Sequence, residues 1–294
     1  MKRWLAYLLL LCGWLLQTAA WAEPHTPFYK AERNGQVVYV LGTLHVGRSD
    51  FYPLRPAIEN AARQAARVYL EINLDEPGVE EKTARAMLCS PPCLKEALSE
   101  SEWNTLAQRL GNQETALRAL EQMRPWAAAV VLALGDFAAL GFSAELSVEK
   151  QVVALAGDPG KTVGLESVEE QMRLFTDMAP VEQKEMLVQW INMTPGERLD
   201  LNRQMVALWE QGNAEAMHDW YKKTEMRYSG NPTAAASFDR KFLVERNRVL
   251  AQRLLAQIGN APGPFFLAVG ALHLGGPDGV LALLKKQGFQ VKVQ

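Results

Sequence analysis

The chain has 294 residues, 48% of them hydrophobic and 22% charged, with 31 Lys plus Arg against 33 Asp plus Glu for a formal net charge of -2. This length and apolar content support a substantial buried core and exclude a disordered chain. The slight acidity excludes the basic footprint of a nucleic-acid binder.

The first residues are set apart. Lys2 and Arg3 precede an apolar stretch, residues 4–16, that contains Cys12 and Gly13, and Ala20-Trp21-Ala22 offers a small-x-small cleavage site. That is the layout of a secretory signal peptide, with an apolar part shorter than the roughly 20 residues of a spanning helix. Leu11 before Cys12 argues against a lipoprotein, and an uncleaved N-terminal anchor is the alternative. The expectation is a signal peptide over residues 1–22 and a single domain over residues 23–294. That domain would be periplasmic or secreted, with no stable membrane insertion after cleavage.

In chain order, residues 37–41 form a first apolar run, expected as a buried strand, and residues 56–67 carry Ala and Ile at helical spacing. Residues 68–72 repeat the strand signal, giving strand, helix, strand. Residues 80–156 read as helical: Ser99 with Glu102 is a capping box, Gly111 a stop and Arg124-Pro125 a break. Within that stretch Cys89 and Cys93, in CSPPC, fit a small disulfide loop stiffened by Pro91 and Pro92 better than a redox centre. Asp158-Pro159-Gly160 is a turn, and residues 162–165 are a third strand.

Residues 168–258 are again helical, with Thr194, Pro195 and Glu197 opening one helix and Gly212 closing it. Residues 231–238, after Gly230, are expected as a mobile loop. Residues 265–269 are the fourth buried strand, and residues 289–293, with some alternation, suit a sheet edge. Strands at both ends with helical blocks between them indicate an α/β fold: a mixed, largely parallel sheet with flanking helices and insertions at about 80–156 and 168–258.

Only four histidines exist, and two stand in matched settings: His45 in VVYVLGTLHVG and His273 in FFLAVGALHLGG. In an open α/β sheet, ligands bind beyond the carboxyl ends of strands. His45, Glu71 in VYLEIN, Glu166 in VGLES and His273 all fall at such ends. The glycine three residues before each histidine is expected to let the backbone turn tightly as it leaves the strand. Two imidazoles with carboxylates suit a divalent first-row metal, with a second carboxylate as base; a metal-free His–Glu pair activating water is the alternative.

Glu71, isolated in an apolar run, needs a partner if buried. Glu166 has a rival role as cap of the helix beginning near Ser167. Arg48 and Arg246-Asn247 are candidates for a substrate carboxylate or carbonyl, with a helix surface as the rival placement for Arg246. His25 and His218 read as incidental, and Trp126 and Trp190 as core.

Taken together, GTLHVG (42–47), YPLRPAIENA (52–61), VYLEIN (68–73), MRPWAAA (123–129), VGLESVEEQM (163–172), ERNRVLA (245–251) and VGALHLGGPDGVLALLKKQGFQV (269–291) resemble the bacterial TraB/GumN family. That family is related to the Tiki metalloproteases and, more distantly, to the erythromycin esterase/ChaN-like group. The resemblance implies an α/β fold whose active centre is lined by residues 42–45 and 270–273 with Glu71. Glu166 and Arg246 fall at recurring family positions.

It implies a metal-dependent hydrolase of peptide or protein substrates, with manganese or cobalt foremost and zinc or iron next. His45 and His273 with one or both of Glu71 and Glu166 would hold the ion, the other glutamate would act as base, and Arg48 or Arg246 would steady the substrate or the developing oxyanion. The alternatives are a metal-independent esterase-like hydrolase, a periplasmic haem- or ligand-binding protein, and a regulatory partner that keeps the fold without chemistry.

Overall fold

The computed structural model describes residues 25–228 and 232–294; the expected signal peptide, together with Gly230 and Asn231, lies outside them. The strands β1 (Phe28–Arg33), β2 (Gln36–Thr43), β3 (Arg67–Leu70), β4 (Thr162–Gly164), β5 (Phe265–Gly270) and β6 (Gln290–Val293) form one sheet in the order β4-β3-β5-β2-β1-β6. The four strands from β4 to β2 run parallel, while β1 is antiparallel to both β2 and β6. The sheet is therefore mixed and largely parallel.

β1 was not among the expected strands, because Lys30, Glu32 and Arg33 interrupt its apolar residues. Its signal is the turn that follows. Asn34 and Gly35 have φ of 49° and 80°, and Arg33 faces Gln36, as in a two-residue hairpin whose twist matches that of its strands.

The register of β5 explains the paired motifs. Gly42 lies opposite Val269 and Thr43 opposite Gly270, so both Gly-x-Leu-His elements leave the sheet from adjacent parallel strands. β5 is central, and its side chains divide between two cores. Phe266 and Ala268 join Leu41 and Leu70 on one face; Phe265, Leu267 and Val269 join Val38, Val40 and Tyr69 on the other. Burial on both sides is why this strand reads as an unbroken apolar run.

The first face is covered by α1 (Pro56–Gln64), which connects β2 to β3. The helical segment after β3 comprises α2 (Val79–Met87), α3 (Leu94–Ala97), α4 (Glu100–Arg109), α5 (Glu114–Glu121), α6 (Pro125–Ala139) and α7 (Val148–Ala156). Of these, α7 returns to the sheet and packs Val148, Val152 and Leu155 beside Ile58 of α1. After β4 come α8 (Val168–Thr176), α9 (Pro180–Asn192), α10 (Pro195–Glu210), α11 (Ala214–Tyr228) and α12 (Pro232–Asp239). A π-helical turn over Arg240–Glu245 then leads into α13 (Arg246–Ile258). The second face is covered by α13 and by α14 (Val280–Lys286), through Leu250, Leu254 and Leu284.

The capping box at Ser99/Glu102 forms as expected, Thr194 opens α10 as expected and does so through a box with Glu197, and Pro125 opens α6. The loop expected at 231–238 is corrected: residues 232–239 are helical. Pro232 stands at a helix start, where its missing N–H costs nothing, and a run of alanines follows.

The helical insertions have a hydrophobic core of their own, built from Leu94, Leu106, Leu132, Leu187, Trp190 and Ile191 with no strand residue in it. At its margin the Cys89 and Cys93 sulfurs lie at disulfide distance. Among the described residues no helix is long and apolar enough to cross a membrane.

Candidate functional site

Beyond the carboxyl ends of β2, β3 and β5 lies a cavity of about 280 Å³, lined by His45, Glu71, Glu149, Lys150 and Gln171, with Leu70 and Ala268 contributed by the strands. A larger cavity among the inserted helices shares no residue with it. Titratable groups converging on strand ends, rather than size, mark the smaller one as the candidate site.

The first motif delivers His45 to this cavity. Leu44 and Val46 are buried on either side of it, so the intervening imidazole points outward and its side chain is 71% exposed. Its Nδ1 lies 2.8 Å from Glu149 Oε1. Glu149 stands in the first turn of α7, where the helix dipole favours an anion, and the Thr43 hydroxyl donates to the same oxygen. The Glu149 carboxylate raises the His45 pKa to about 9, and solvent in the open cavity screens part of that attraction. Burial opposes ionisation of Glu149, but the His45 ring and the Thr43 hydroxyl outweigh it and lower its pKa. Its second oxygen, Oε2, is buried with no hydrogen-bond partner among the described residues.

The second motif delivers His273 to the opposite environment. It is 5% exposed and sits on a 3-10 turn directly after β5. The Asn247 amide donates to the Asp278 carbonyl at 3.0 Å, which turns its Oδ1 to within 2.6 Å of His273 Nδ1. That geometry assigns the ring hydrogen to Nδ1 and leaves the Nε2 lone pair facing Arg246 Nη1 at 3.3 Å. Burial depresses the His273 pKa to about 4; nearby Glu71 opposes the shift and Arg246 adds to it. The ring is neutral at pH 7.

Glu71 joins the two halves. Its Oε1 accepts the Gly270 amide at 2.8 Å and lies 3.6 Å from His273 Nε2; its Oε2 accepts from Arg246 Nη2 at 2.7 Å and from Gln171 at 3.2 Å. Burial disfavours its charge, yet the neighbouring positive charge and the Gly270 amide hold its pKa well below the usual carboxylate range. With His273 neutral, Arg246 and, further off, the protonated His45 are the cations that do this. Arg246 also grips Glu166 in a fork, with Nε at 3.2 Å and Nη2 at 2.6 Å from its two oxygens. One guanidinium against two buried carboxylates makes a charge-dense cluster in which every member is paired.

The two motif glycines do not serve as turn residues. Gly270 has φ of -49°, and Gly42 is not among the positive-φ positions, so any residue could adopt either backbone. They are needed for space. A Cβ at Gly42 would meet Leu274 Cδ1 at 2.8 Å and Ala271 at 3.1 Å, blocking the turn that carries His273. A Cβ at Gly270 would project into the cluster itself, 3.3 Å from Glu71 Oε1, 3.5 Å from His273 Cδ2 and 3.7 Å from His45 Nε2. The missing side chain keeps a small space open where three expected site residues meet.

Of the other expected residues, Glu166 and Arg246 are 9% exposed and belong to the buried cluster; Glu166 does not cap α8, where Ser167 and Glu170 form the box. Arg48 is bonded to Asp50 at 3.0 Å, lies 4.6 Å from the Phe142 ring centre and does not line the cavity. Sequence reading missed Glu149, which looks like any first-turn acid, and Gln171. It noticed Asn247 as a substrate contact, whereas its amide orients His273.

The donor chemistry suits a divalent ion. Both imidazoles have Nδ1 engaged by an outer acceptor and Nε2 directed inward, the usual arrangement of metal-bound histidine, and the space over Gly270 is bordered by both rings and Glu71. Arg246 contends for that role, since it already donates to Glu71 Oε2 and His273 Nε2. Among the described residues no three His, Cys, Asp or Glu side chains are gathered closely enough to hold an ion as they stand.

Compared with known proteins, residues 27–293 match the model of the TraB/PrgY/gumN family. No curated protein and no solved structure matches the chain. The match spans nearly the whole sequence, and the chain belongs to the TraB/PrgY/gumN family.

Proposed function

We propose that this member of the TraB/PrgY/gumN family is an exported, metal-dependent hydrolase that cleaves a peptide bond in the cavity at the strand ends. The observation that carries the reading is the convergence of His45 Nε2, Glu71 Oε1 and the His273 ring on the space over Gly270. His45, Glu71 and His273 would hold the ion, which supplies an acidified water and a polarised carbonyl.

The chain's own groups do the rest. Glu149 accepts the Nδ1 hydrogen of His45 and so turns Nε2 to the cavity, and Asn247 accepts that of His273, turning its Nε2 to Glu71 and Arg246. Glu166 has both oxygens occupied by Arg246, so it steadies the arginine rather than acting as a free base. Glu71, whose oxygens accept from Gly270, Arg246 and Gln171, is held ionised and borders the cavity as the anionic ligand of the ion rather than as a free base.

A second reading is favoured by Arg246 itself. It already supplies positive charge where an ion would sit, so His45 could exchange protons in a metal-free ester or amide hydrolysis, with Arg246 as the electrostatic element.

One assay separates them: purified protein is incubated with a library of unstructured peptides, with and without chelator. Cleavage that disappears with chelator, returns with manganese or cobalt, and is absent in His45→Ala supports the metal-dependent reading. Cleavage untouched by chelator but absent in His45→Ala supports the metal-free one. No peptide cleavage under either condition, or full cleavage by His45→Ala, overturns the peptidase assignment.

A further inference from the structure

The larger cavity, about 410 Å³, lies between α6, α9, α10, α11 and α12, within the size range of about 300–1,000 Å³ typical of small-molecule sites. Its walls are aromatic and sulfur-rich: Trp190, Trp220, Tyr221 and Phe238 face it together with Met178 and Met186. Aromatic faces attract cations, and methionine side chains adapt to irregular apolar bodies.

The polar groups on the wall are unbalanced, with four carboxylates against the single guanidinium of Arg198. That guanidinium is spoken for: Nε donates to Asp136 at 2.8 Å, Nη1 donates to the Met193 carbonyl at 2.8 Å, and the group lies 3.8 Å over the Trp190 ring. Among the described lining residues no cation is left for an anionic ligand.

Three of the carboxylates are also satisfied. Asp136 accepts from Arg198 and from Trp190 Nε1 at 2.7 Å. Glu182 accepts the Ala179 amide at 2.9 Å and has Lys241 at 3.8 Å. Glu225 accepts from Tyr221 and Lys222, both at 3.3 Å. Glu185, half-buried in the middle of α9, is the exception: among the described residues it has no hydrogen-bond or ion-pair partner. A carboxylate partly withdrawn from water beside aromatic rings is stabilised by a cation that brings its own apolar cover.

From the cavity, its aromatic and methionine wall and the unpaired Glu185, we infer that this is a binding site for an amphipathic organic cation: an ammonium group on an apolar body of aromatic size, with Glu185 as counter-ion. No residue of the strand-end cavity takes part, so the inference stands or falls independently of the hydrolase reading.

The test uses the full chain with ¹³C-methyl methionine, because Met178, Met186 and Met193 all line the cavity. The probes are 3-phenylpropylammonium, the neutral 3-phenylpropanol and the anionic 4-phenylbutanoate. The expected result is a saturable shift of these methyl signals with the ammonium, at least tenfold weaker affinity for the alcohol, and no saturable shift with the carboxylate. Glu185→Gln, which preserves shape, should reduce ammonium affinity to the level of the alcohol and leave alcohol binding unchanged. Ala133→Phe, which places a ring in the cavity, should remove the shifts. Equal affinity for ammonium and alcohol, ammonium binding indifferent to Glu185→Gln, or no methyl shift up to the solubility of the ammonium would each overturn it.

Discussion

The two Gly-x-Leu-His elements leave neighbouring parallel strands in nearly the same register, yet their histidines meet opposite surroundings. His45 is open to a cavity and paired with a carboxylate, and its pKa rises to about 9. His273 is buried and paired with an amide, and its pKa falls to about 4. A repeated motif therefore fixes where the backbone leaves the sheet, while the helices packed on that exit decide what each imidazole does. α7 brings a carboxylate to His45; α13 brings Asn247 and Arg246 to His273. One imidazole faces an open cavity and the other is locked within the buried cluster.

The largest effect that would break this comparison is in activity. His45→Ala is expected to lower hydrolysis at least ~1,000-fold while costing less stability than His273→Ala, because its side chain is mostly solvated and its ion pair is screened. Equal losses of stability in His45→Ala and His273→Ala, measured by urea unfolding, would erase the distinction.

Arg246→Met sharpens it from the other side. It leaves Glu71 and Glu166 buried without their shared cation, and should cost about 3–5 kcal/mol in the same urea experiment.

The third effect is in pH. In metal-free protein the folded state resists protonating His273 between its ordinary 6.5 and about 4, whereas the unfolded chain accepts the proton. Its contribution is therefore complete above pH 6.5 and is lost as pH falls toward 4, on the order of 3 kcal/mol across that window. His45 has the reverse sign: its contribution is complete below 6.5 and fades as pH rises through about 9. Unfolding at a series of pH values should show a steeper acid limb in wild type than in His273→Gln, and the same limb in both would refute the buried role.

Smaller changes should follow at the edges of the site. Glu149→Gln removes the charge that raises His45, so its NMR titration midpoint should fall by at least about one unit, more than 1.4 kcal/mol of lost interaction. Gly270→Ala should fold, since its φ of -49° is open to alanine, but place a methyl 3.3 Å from Glu71 Oε1 and reduce activity about tenfold or more. Unchanged activity in Gly270→Ala would show that the space over this residue is unused.

Much of the arrangement was legible in the sequence because of burial. Strands covered on both faces, such as Phe265–Gly270, announce themselves as continuous apolar runs, and a lone Glu71 inside one demands a partner. Matched Gly-x-Leu-His contexts announced a shared site. β1 was obscured by alternating charge, although Asn34-Gly35 carried its hairpin signal. Glu149 could not be recognised, because a glutamate in the first turn of a helix is ordinary until tertiary packing sets a histidine beside it. The roles of Gly42 and Gly270 were likewise invisible: a glycine required for close approach looks the same in sequence as one required for a turn. Residues 231–238 read as a loop because proline and small residues serve both loops and helix starts.

The most direct test of the divided roles is a ¹⁵N-imidazole NMR titration of metal-free protein, with His45→Ala and His273→Gln used for assignment. His45 should remain protonated at pH 8 and lose its proton near 9, while His273 should stay neutral, with its hydrogen on Nδ1, down to about pH 5. Two midpoints close together near the ordinary 6.5 would contradict it, and the twin motifs would then be two equivalent histidines rather than one charged and exposed and one neutral and buried.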